Sequence, residues 1–436
     1  MTCEARIRDG SALVGVIGLG YVGLPLMRTF WEAGFKVIGF DIDPQKIQTL
    51  LAGSTYLHHL GDDFVVQMAG SDRFDATCDF DRLAEPDAVL VCVPTPLNAT
   101  REPDLSFVEK AADDLAAAPR SGRLVVLESS TYPGTTRQTV LPRMEGKGLR
   151  CGRDFFLAYS PEREDPGSAR HTTRSIPKLV GGIDEAAGRL AAALYERAID
   201  QVILVRNAEV AEAAKLLENI YRAVNIAMVN EMKVVMTKMG INVWEVIEAA
   251  SSKPFGYQPF YPGPGLGGHC IPIDPFYMAW AARQVGAPTR FIELAGQVNR
   301  DMPDFVVATL VQALKARGKA VDGAAVLVLG LAYKADVDDV RESPSFELIE
   351  KLQGLSARVD YHDPHVPATH KMRQHDLRMK SISLTPQTLE SYDCVLIATN
   401  HSAYDWQMIA DHGKLVVDTR NAMKHVKGEQ GHIVLA

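Results

Sequence analysis

Short apolar runs and amphipathic stretches alternate through the first 206 residues of the chain. The runs at Leu13–Ile17, 37–40, 88–93, 124–127, 155–158, 179–181 and 202–205 have the length and the Val, Ile and Leu content of buried strands. The stretches between them supply crossovers, and this alternation predicts a parallel, doubly wound α/β sheet. The texture changes after residue 205. From 208 to about 250, Gly and Pro are almost absent, and Ala211, Ala214, Leu217, Tyr221, Val224 and Met228 recur at helical spacing. Long helices are expected there, serving either as a plain core helix or as a domain spacer and dimer seam; periodicity alone leaves both open. A Gly/Pro-rich loop over 255–269 leads into a helical segment from about Pro275. Past Gly318 the alternation returns, with runs at Ala325–Leu329, 359–361, 395–398 and 415–418. These read as strands of a second, smaller doubly wound domain. The two ends echo each other, since each opens with a strand that runs into glycine, at Gly18 and Gly330. The last stretch, 424–436, carries no motif and is expected to be disordered.

Bulk properties narrow the class. A length of 436 residues suits two or three domains, each with its own core. Hydrophobic content of 47% and charged content of 23% are ordinary for a globular protein. A formal charge of -8 argues against a general nucleic-acid binder, while leaving room for a local basic pocket. No apolar run is long enough to span a bilayer, and the first ten residues lack the apolar core of a signal peptide. The six cysteines are scattered with no C-x-x-C pair, so a disulfide framework is not expected and a cytoplasmic setting is.

Several motifs carry chemistry. Gly18-Leu19-Gly20-Tyr21-Val22-Gly23 follows an apolar strand and opens an apolar helix. The first glycine allows the turn, the second lets a pyrophosphate approach the backbone, and the third lets strand and helix pack closely. Asp41 ends the next strand, where a carboxylate binds the ribose 2′-hydroxyl and disfavours a 2′-phosphate; NAD is therefore expected over NADP. Two further strand ends, 93–96 with Thr95 and 129–136 with Thr131, place hydroxyls toward the same crevice, although each alone is ordinary turn chemistry. Ser160-Pro161-Glu162-Arg163-Glu164-Asp165 is either a solvated charged loop or a place where Glu162 steers a proton or a water. In Gly267-Gly268-His269-Cys270-Ile271-Pro272-Ile273-Asp274, Cys270 lies just before a helix start. The dipole there lowers a thiol's pKa and Asp274 is four residues on, so Cys270 reads either as a nucleophile or as an inert packed thiol, with the loop's glycines favouring the first. Lys215 and Asn219 stand four apart on one helix face, where the Lys can stabilise an oxyanion or simply face solvent. Lys334 and Arg341 follow the first strand of the C-terminal domain and suit a nucleotide phosphate. Asp360, His362, Asp363 and His365 fit no common metal-ligand spacing and read as a strand end, so no metal is expected.

With these residues in place, the chain resembles the UDP-glucose/GDP-mannose dehydrogenase family over about 14–422. The resemblance rests on G-x-G-x-x-G, S-S-T-x-x-P-G-T-T, S-P-E, A-K-x-x-x-N, G-G-x-C-x-x-x-D and R-E-S-P in that order. It implies two Rossmann-like domains joined by a long helix that also makes a dimer. The expected division is 1–206 for NAD binding, 207–318 for a central helical dimerisation and catalytic-loop domain, and 319–436 for UDP binding. It further implies oxidation of a sugar-nucleotide C6 alcohol to an acid with two NAD. Cys270 would be the nucleophile, forming a thiohemiacetal and then a thioester. Lys215 and Asn219 would stabilise the oxyanions, Asp274 and Thr131 would position the base or water, and Glu162 would assist hydrolysis. For the cofactor the resemblance implies Gly18, Gly20, Tyr21, Val22, Gly23, Asp41, Thr95, Thr131 and Arg341. For substrate it implies Glu162, Arg163, Lys215, Asn219, Tyr261, Gly265, Gly267, Lys334 and Arg420, the last near the uridine end.

One departure narrows the substrate. Glucose-type members carry a Lys between the Cys and the Asp, where this chain has Ile273. That context, with Ser160 to Gly167 upstream, is similar to the UDP-N-acetylhexosamine branch, and most of all to the UDP-N-acetyl-D-glucosamine 6-dehydrogenases of bacterial surface-polysaccharide pathways. UDP-N-acetyl-D-mannosamine and UDP-glucose are the alternatives; a catalytically silent nucleotide-binding scaffold is the alternative of another class. The glutamate that follows S-P-E in glucose-type members has no clean counterpart here, and Glu164 or Asp165 takes its place.

Overall fold

A computed structural model describes residues 2–57, 60–98, 100, 102–163, 172–268, 271, 273–372 and 375–436. The chain divides into two compact units. Unit 1 is Met1–Glu218 with Phe276–Pro288, and unit 2 is Asn219–Pro275 with Thr289–Ala436.

Unit 1 is built on eight strands: β1 (Leu13–Ile17), β2 (Lys36–Phe40), β3 (Phe74–Thr77), β4 (Ala88–Val91), β5 (Arg123–Leu127), β6 (Phe155–Tyr159), β7 (Lys178–Gly182) and β8 (Val202–Leu204). Their order, β3-β2-β1-β4-β5-β6-β7-β8, reverses beside β1, and the crevice at such a switch point is where ligands of open α/β sheets bind. Both faces of the sheet are covered. Val14 and Val16 join Met27 and Phe30 on one side, while Ile17, Ile38 and Val89 join Leu115 on the other. That double burial is why β1, β4 and β5 read as continuous apolar runs.

Two details depart from the sequence expectation. β3 lies outside the expected set because only Ala76 of its four residues is buried. β7 runs antiparallel to β6, pairing Ala158 with Gly182 and Tyr159 with Gly181. A parallel return would need a crossover connection, and the described residues between β6 and β7 contain no helix.

Unit 2 carries β9 (Ala325–Leu329), β10 (Arg358–His362), β11 (Cys394–Ile397), β12 (Val416–Asp418) and β13 (Ile433–Leu435). The sheet is parallel throughout, in the order β10-β9-β11-β12-β13. β13 corrects the expected disorder of 424–436. Ile433, Val434 and Leu435 pair with Val416, Val417 and Asp418, and the Ala436 N–H donates to the Asp418 carbonyl at 2.9 Å. The short apolar run Ile433-Val434-Leu435 is held as a strand by its pairing with β12.

The helix Ala208–Met239 has 32 residues and so extends over about 48 Å. It ends at Gly240, whose φ of 72° lies in the left-handed region that favours glycine. Its apolar periodicity is real, but the stripe divides between inside and outside. Ala211 is buried, as are Leu216, Ala223, Ala227 and Val229, while Leu217, Tyr221 and Met228 are 66%, 48% and 51% exposed. The polar Glu212, Lys215, Asn219, Asn230 and Lys233 are buried as well. No helix among the described residues is long and apolar enough to cross a membrane.

Asp363, just past β10, closes the turn after β9. Its carboxylate accepts from the N–H groups of Leu331 (2.6 Å), Ala332 (3.0 Å), His365 (2.8 Å) and Val366 (3.1 Å), and His401 Nε2 lies 3.0 Å away. Burial works to raise its carboxyl, but His401 and these amides outweigh burial and hold it down at about 2. From an unfolded value of 3.8, that depression corresponds to about 2 kcal/mol. The contribution is present above the unfolded value and is lost as pH falls toward the folded one. Asp363→Asn should therefore be less stable by at least about 2 kcal/mol at neutral pH in urea unfolding. Its deficit relative to wild type should shrink as pH falls below about 4; a deficit constant across that range would count against the carboxylate.

Candidate active site

The turn from β1 to the helix Gly23–Glu32 has the geometry of an anion cradle. Gly18 has a φ of 89°, and a Cβ on it would lie 2.6 Å from the Cys92 carbonyl oxygen. A Cβ on Gly23 would lie 1.9 Å from the Gly18 carbonyl oxygen, so strand, turn and helix can close only on glycine. At Gly20 an added Cβ meets nothing within 4 Å. The helix begins after Val22 with no side-chain cap on its N–H groups, and Tyr21 is half-buried beside it. Asp41 is buried after β2; its Oδ2 accepts from the Leu19 N–H at 2.9 Å and lies 3.2 Å from Lys46 Nζ, and its Oδ1 accepts from the Asp43 N–H at 3.0 Å. An uncapped helix end, an open glycine position and a strand-end carboxylate suit the pyrophosphate and ribose of NAD.

The ends of β4 and β5 are tied to each other. The Thr95 hydroxyl donates to the Ser130 carbonyl at 2.8 Å, the Ser129 hydroxyl to Val93 at 2.7 Å, and Tyr277 OH to the Thr95 carbonyl. Thr95 therefore braces the crevice wall with its side chain. Thr131 is buried, and its hydroxyl has no partner among the described residues. A buried, unsatisfied hydroxyl is costly and points to a water or a ligand.

Past β6, Glu162 and Lys215 come together. Lys215 Nζ donates to the Glu162 carbonyl and lies 3.8 Å from Glu162 Oε2. Burial raises the Glu162 carboxyl, opposed by the Lys215 and Lys178 ammonium groups. Lys215 is buried, so its helix face points inward and not to solvent. Arg163 is engaged: Nη2 and Nε donate to Glu218 at 2.7 and 3.3 Å, and Nη1 donates to the Pro177 carbonyl at 2.7 Å. This fork pins the Glu162 loop to the helix one turn past Lys215. Glu218 was not anticipated; its sequence signal is an acid three residues past Lys215 on the same helix.

In unit 2, Asn219 Nδ2 donates to Asp274 Oδ2 at 2.6 Å, and both residues are buried. Asp274 opens the helix Asp274–Gln284. Cys270, His269 and Glu164 to Gly167 lie outside the described residues. The glycine loop before Cys270 lies against the segment after β9. A Cβ on Gly267 would come 2.5 Å from Tyr333 Cβ, one on Gly265 would come 3.0 Å from Pro344, and the Gly268 N–H donates to the Arg341 carbonyl at 3.0 Å. The Arg341 guanidinium forks onto buried Asp339, at 2.9 and 2.7 Å, and Lys334 nearby is half-buried.

Arg420 follows β12. Its Nε donates to the Ala398 carbonyl at 2.8 Å, and burial pushes its guanidinium down to about 10. It lines a cavity of about 740 Å³ with Trp244, Tyr261, Trp406, Lys424 and His425. Tyr261 stacks on Trp244 at 5.8 Å. Aromatic faces and cations together suit a base and a phosphate. Of these, Trp244, Trp406, Lys424 and His425 carry no joint sequence signal because they lie in three separate segments. Asp336, His365 and His401 also gather, but His401 Nδ1 accepts from the Asp336 N–H and its Nε2 faces Asp363, so both ring nitrogens already serve the turn.

These features define an NAD-dependent dehydrogenase with a second, nucleotide-binding Rossmann-like unit. The chain belongs to the UDP-glucose/GDP-mannose dehydrogenase family: its NAD binding domain matches residues 12–199, its central domain 209–301 and its UDP binding domain 327–425. Two relatives are a UDP-N-acetyl-D-mannosamine dehydrogenase of Pyrococcus horikoshii, 33% identical over 94% of this chain and 96% of that protein, and a UDP-N-acetyl-D-glucosamine 6-dehydrogenase of Pseudomonas aeruginosa, 34% identical over 90% and 91%. The solved structure of the UDP-D-ManNAc dehydrogenase from Pyrococcus horikoshii superposes with a TM-score of 0.85 at 32% identity, covering 97% of this chain and 98% of that one.

The glycine geometry separates ligand binding from folding. Gly20→Ala should fold like wild type and bind NAD at least about tenfold more weakly by calorimetry, a loss of about 1.4 kcal/mol. Gly23→Ala should instead lower the melting temperature or the soluble yield. Wild-type NAD affinity in Gly20→Ala would place the pyrophosphate elsewhere.

Proposed function

We propose that this dehydrogenase takes the C6 alcohol of UDP-N-acetyl-D-glucosamine to the carboxylate of UDP-N-acetyl-D-glucosaminuronate in two oxidations, as a step toward a surface polysaccharide. The observation that carries the choice of an amino sugar is Ile273. It is a buried apolar side chain directly before Asp274, at the position where glucose-type members carry a Lys. The Pseudomonas aeruginosa relative is named for that sugar. The second reading, the C2 epimer UDP-N-acetyl-D-mannosamine, is favoured by the Pyrococcus horikoshii sequence and structure.

NAD, when bound, accepts a hydride from the carbon being oxidised. Gly18, Gly20, Tyr21, Val22, Gly23, Asp41, Thr95 and Thr131 would hold it, with Arg341 reaching toward it. Tyr261, Gly265, Gly267, Lys334 and Arg420 would hold the UDP-sugar, with Arg163 setting the loop that carries Glu162. Covalent capture suits a four-electron oxidation because an aldehyde released midway would be lost. In this reading the Cys270 thiolate adds to the aldehyde carbon as a thiohemiacetal, whose oxidation leaves a thioester. The Lys215 ammonium and the Asn219 amide stabilise the oxyanion of each tetrahedral species. Asp274, bonded to Asn219, and the Thr131 hydroxyl position the attacking water. Glu162, its carboxyl raised by burial, takes that water's proton. The balance is one alcohol, two NAD and one water to one carboxylate, two NADH and three protons.

Turnover of UDP-N-acetyl-D-glucosamine, UDP-N-acetyl-D-mannosamine and UDP-glucose under the same conditions tests the substrate, and the first should be the fastest. Two NADH should form per sugar consumed. Rapid UDP-glucose oxidation with none of the first sugar oxidised would overturn the substrate assignment. Cys270→Ala should bind NAD and form no acid; acid production at the wild-type rate would remove the nucleophile's role.

We also propose a homodimer. In unit 2, Tyr221, Met228, Met232, Val235 and Met239 form an exposed stripe at heptad-like spacing along the long helix. Met232→Lys with Val235→Lys should halve the mass seen by light scattering while the secondary structure is kept; an unchanged mass would place the contact elsewhere.

A further inference from the structure

Glu212 stands on the helix Ala208–Met239 one turn ahead of Lys215, and it is fully buried. The mechanism above gives it no task. Its carboxylate is bound by the loop after β5. The Gly134 N–H donates to Oε2 at 2.5 Å, and the Thr136 N–H and hydroxyl donate to Oε1 at 2.9 and 2.6 Å. Three donors of one loop therefore converge on one side chain of the helix. The same loop carries Thr131, whose buried hydroxyl has no partner among the described residues. The loop is an unusual piece of chain. Gly134 has a φ of 103°, and Thr136 enters a π-helical turn, Thr136–Val140, a wide geometry that persists only where surrounding contacts impose it. The charged neighbours of Glu212 are Glu209, one turn earlier on the same helix, and Arg137 on the π-turn, which pairs with Glu209 at 2.5 Å. Lys215, on the other side, is turned to Glu162.

We propose that Glu212 is a positioning residue for the dehydrogenase reaction: its carboxylate clamps the Thr131 loop to the helix that carries Lys215, and so sets the spacing of the Thr131 hydroxyl and the Lys215 ammonium. The proposal rests on the reading that those two groups serve the reaction. The clamp works with the ionised carboxylate, because both oxygens then accept. A protonated carboxyl turns one oxygen into a donor, so it no longer accepts fully from all three of the Gly134 and Thr136 donors, and the clamp is weakened. Burial pushes the Glu212 carboxyl up to about 7, against the pull of the Thr136 and Gly134 donors, so the switch lies near neutral pH. The ionised fraction falls as pH drops through that value, and the turnover number should fall with it.

The test uses the full chain with NAD and a UDP-sugar that the wild type oxidises. Glu212→Gln keeps the shape but replaces one acceptor by an NH2 group that faces the loop donors. Its kcat at pH 8 should drop by about tenfold, and the acid limb near pH 7 should vanish. Amide hydrogen exchange over 129–136, which needs no substrate, should become faster. Thr136→Val, which removes one bond to the ionised form, should shift the acid limb to higher pH with a smaller loss of kcat; it carries the test if Glu212→Gln does not fold. An unmoved acid limb in either variant, or unchanged exchange in Glu212→Gln, would overturn the clamp. A wild type that oxidises none of the three sugars, with faster exchange in Glu212→Gln, would instead strike at the proposed function.

Discussion

A buried carboxylate from the neighbouring strand closes the glycine turn at the end of the first strand in each unit, and the ligand-binding geometry depends on it. In unit 1, Ile17 pairs with Phe40; the chain then turns at Gly18, and Asp41 receives the Leu19 N–H. In unit 2, Leu329 pairs with His362; the chain turns at Gly330, and Asp363 receives the Leu331 and Ala332 N–H groups. The offset is the same in both. Strand register and turn are thus one constraint, because slipping either pair by one residue would remove the carboxylate from the amides. The two copies differ in what is left over. Asp363 is surrounded by four amides and His401, more than the roughly four acceptor sites of a carboxylate. Asp41 is met by two amides and Lys46. Only the first keeps capacity for a ribose hydroxyl, which fits the assignment of NAD to unit 1.

The long helix depends on a second inversion of expectation. Its inward face mixes apolar positions such as Ala211, Leu216, Ala223 and Ala227 with polar ones, and each polar one reaches a different segment: Glu212 the Thr131 loop, Lys215 the Glu162 loop, Asn219 Asp274, Asn230 both Asn299 and the Gly263 N–H, and Lys233 the Ala436 carbonyl. Buried polar groups cost free energy unless paired, so each pairing fixes its segment in register with the helix. A helix with an apolar inward face would pack as firmly, but it would place the surrounding loops less specifically.

Much of this was legible in the chain. Strands buried on both faces announce themselves by composition, as β1, β4 and β5 do. Of the edge strands, β8 and β10 were legible as apolar runs, whereas β3, mostly half-exposed, and the short β13 were not. The glycine turn and Asp41 were legible because spacing carries their geometry. The helix over 208–239 was legible as a helix, but its face was not. Periodicity reports where apolar residues recur, and here Leu217, Tyr221 and Met228 of that stripe are exposed while several polar residues are buried. Glu212 and Glu218 look like solvent-face acids in a charged helix, and only the folded loops reveal their partners. The role given to Cys270 was never a matter of periodicity; it comes from the order of motifs around it.

The ion pairs beside Glu162 show how this region holds its charges: Glu128–Lys178 is buried, Glu162–Lys215 nearly so, and Glu218–Arg163 is part-exposed. Glu128 is paired with Lys178 at 2.6 Å and receives the Tyr195 hydroxyl; Glu218 is forked by Arg163; and Glu162 lies beside Lys215. Each anion has its own cation, so the group is neutral pair by pair. Removing one partner of a buried pair leaves an uncompensated charge, which costs about 3–5 kcal/mol. The cations nearest Glu162 therefore hold two roles that cannot be separated by deletion alone. Lys215 neutralises a buried carboxylate, and in the proposed reaction the same ammonium would be in place when an oxyanion forms. Preorganisation of this kind stabilises a developing negative charge without a new reorganisation step, because the fold has already oriented the dipoles and ions that receive it.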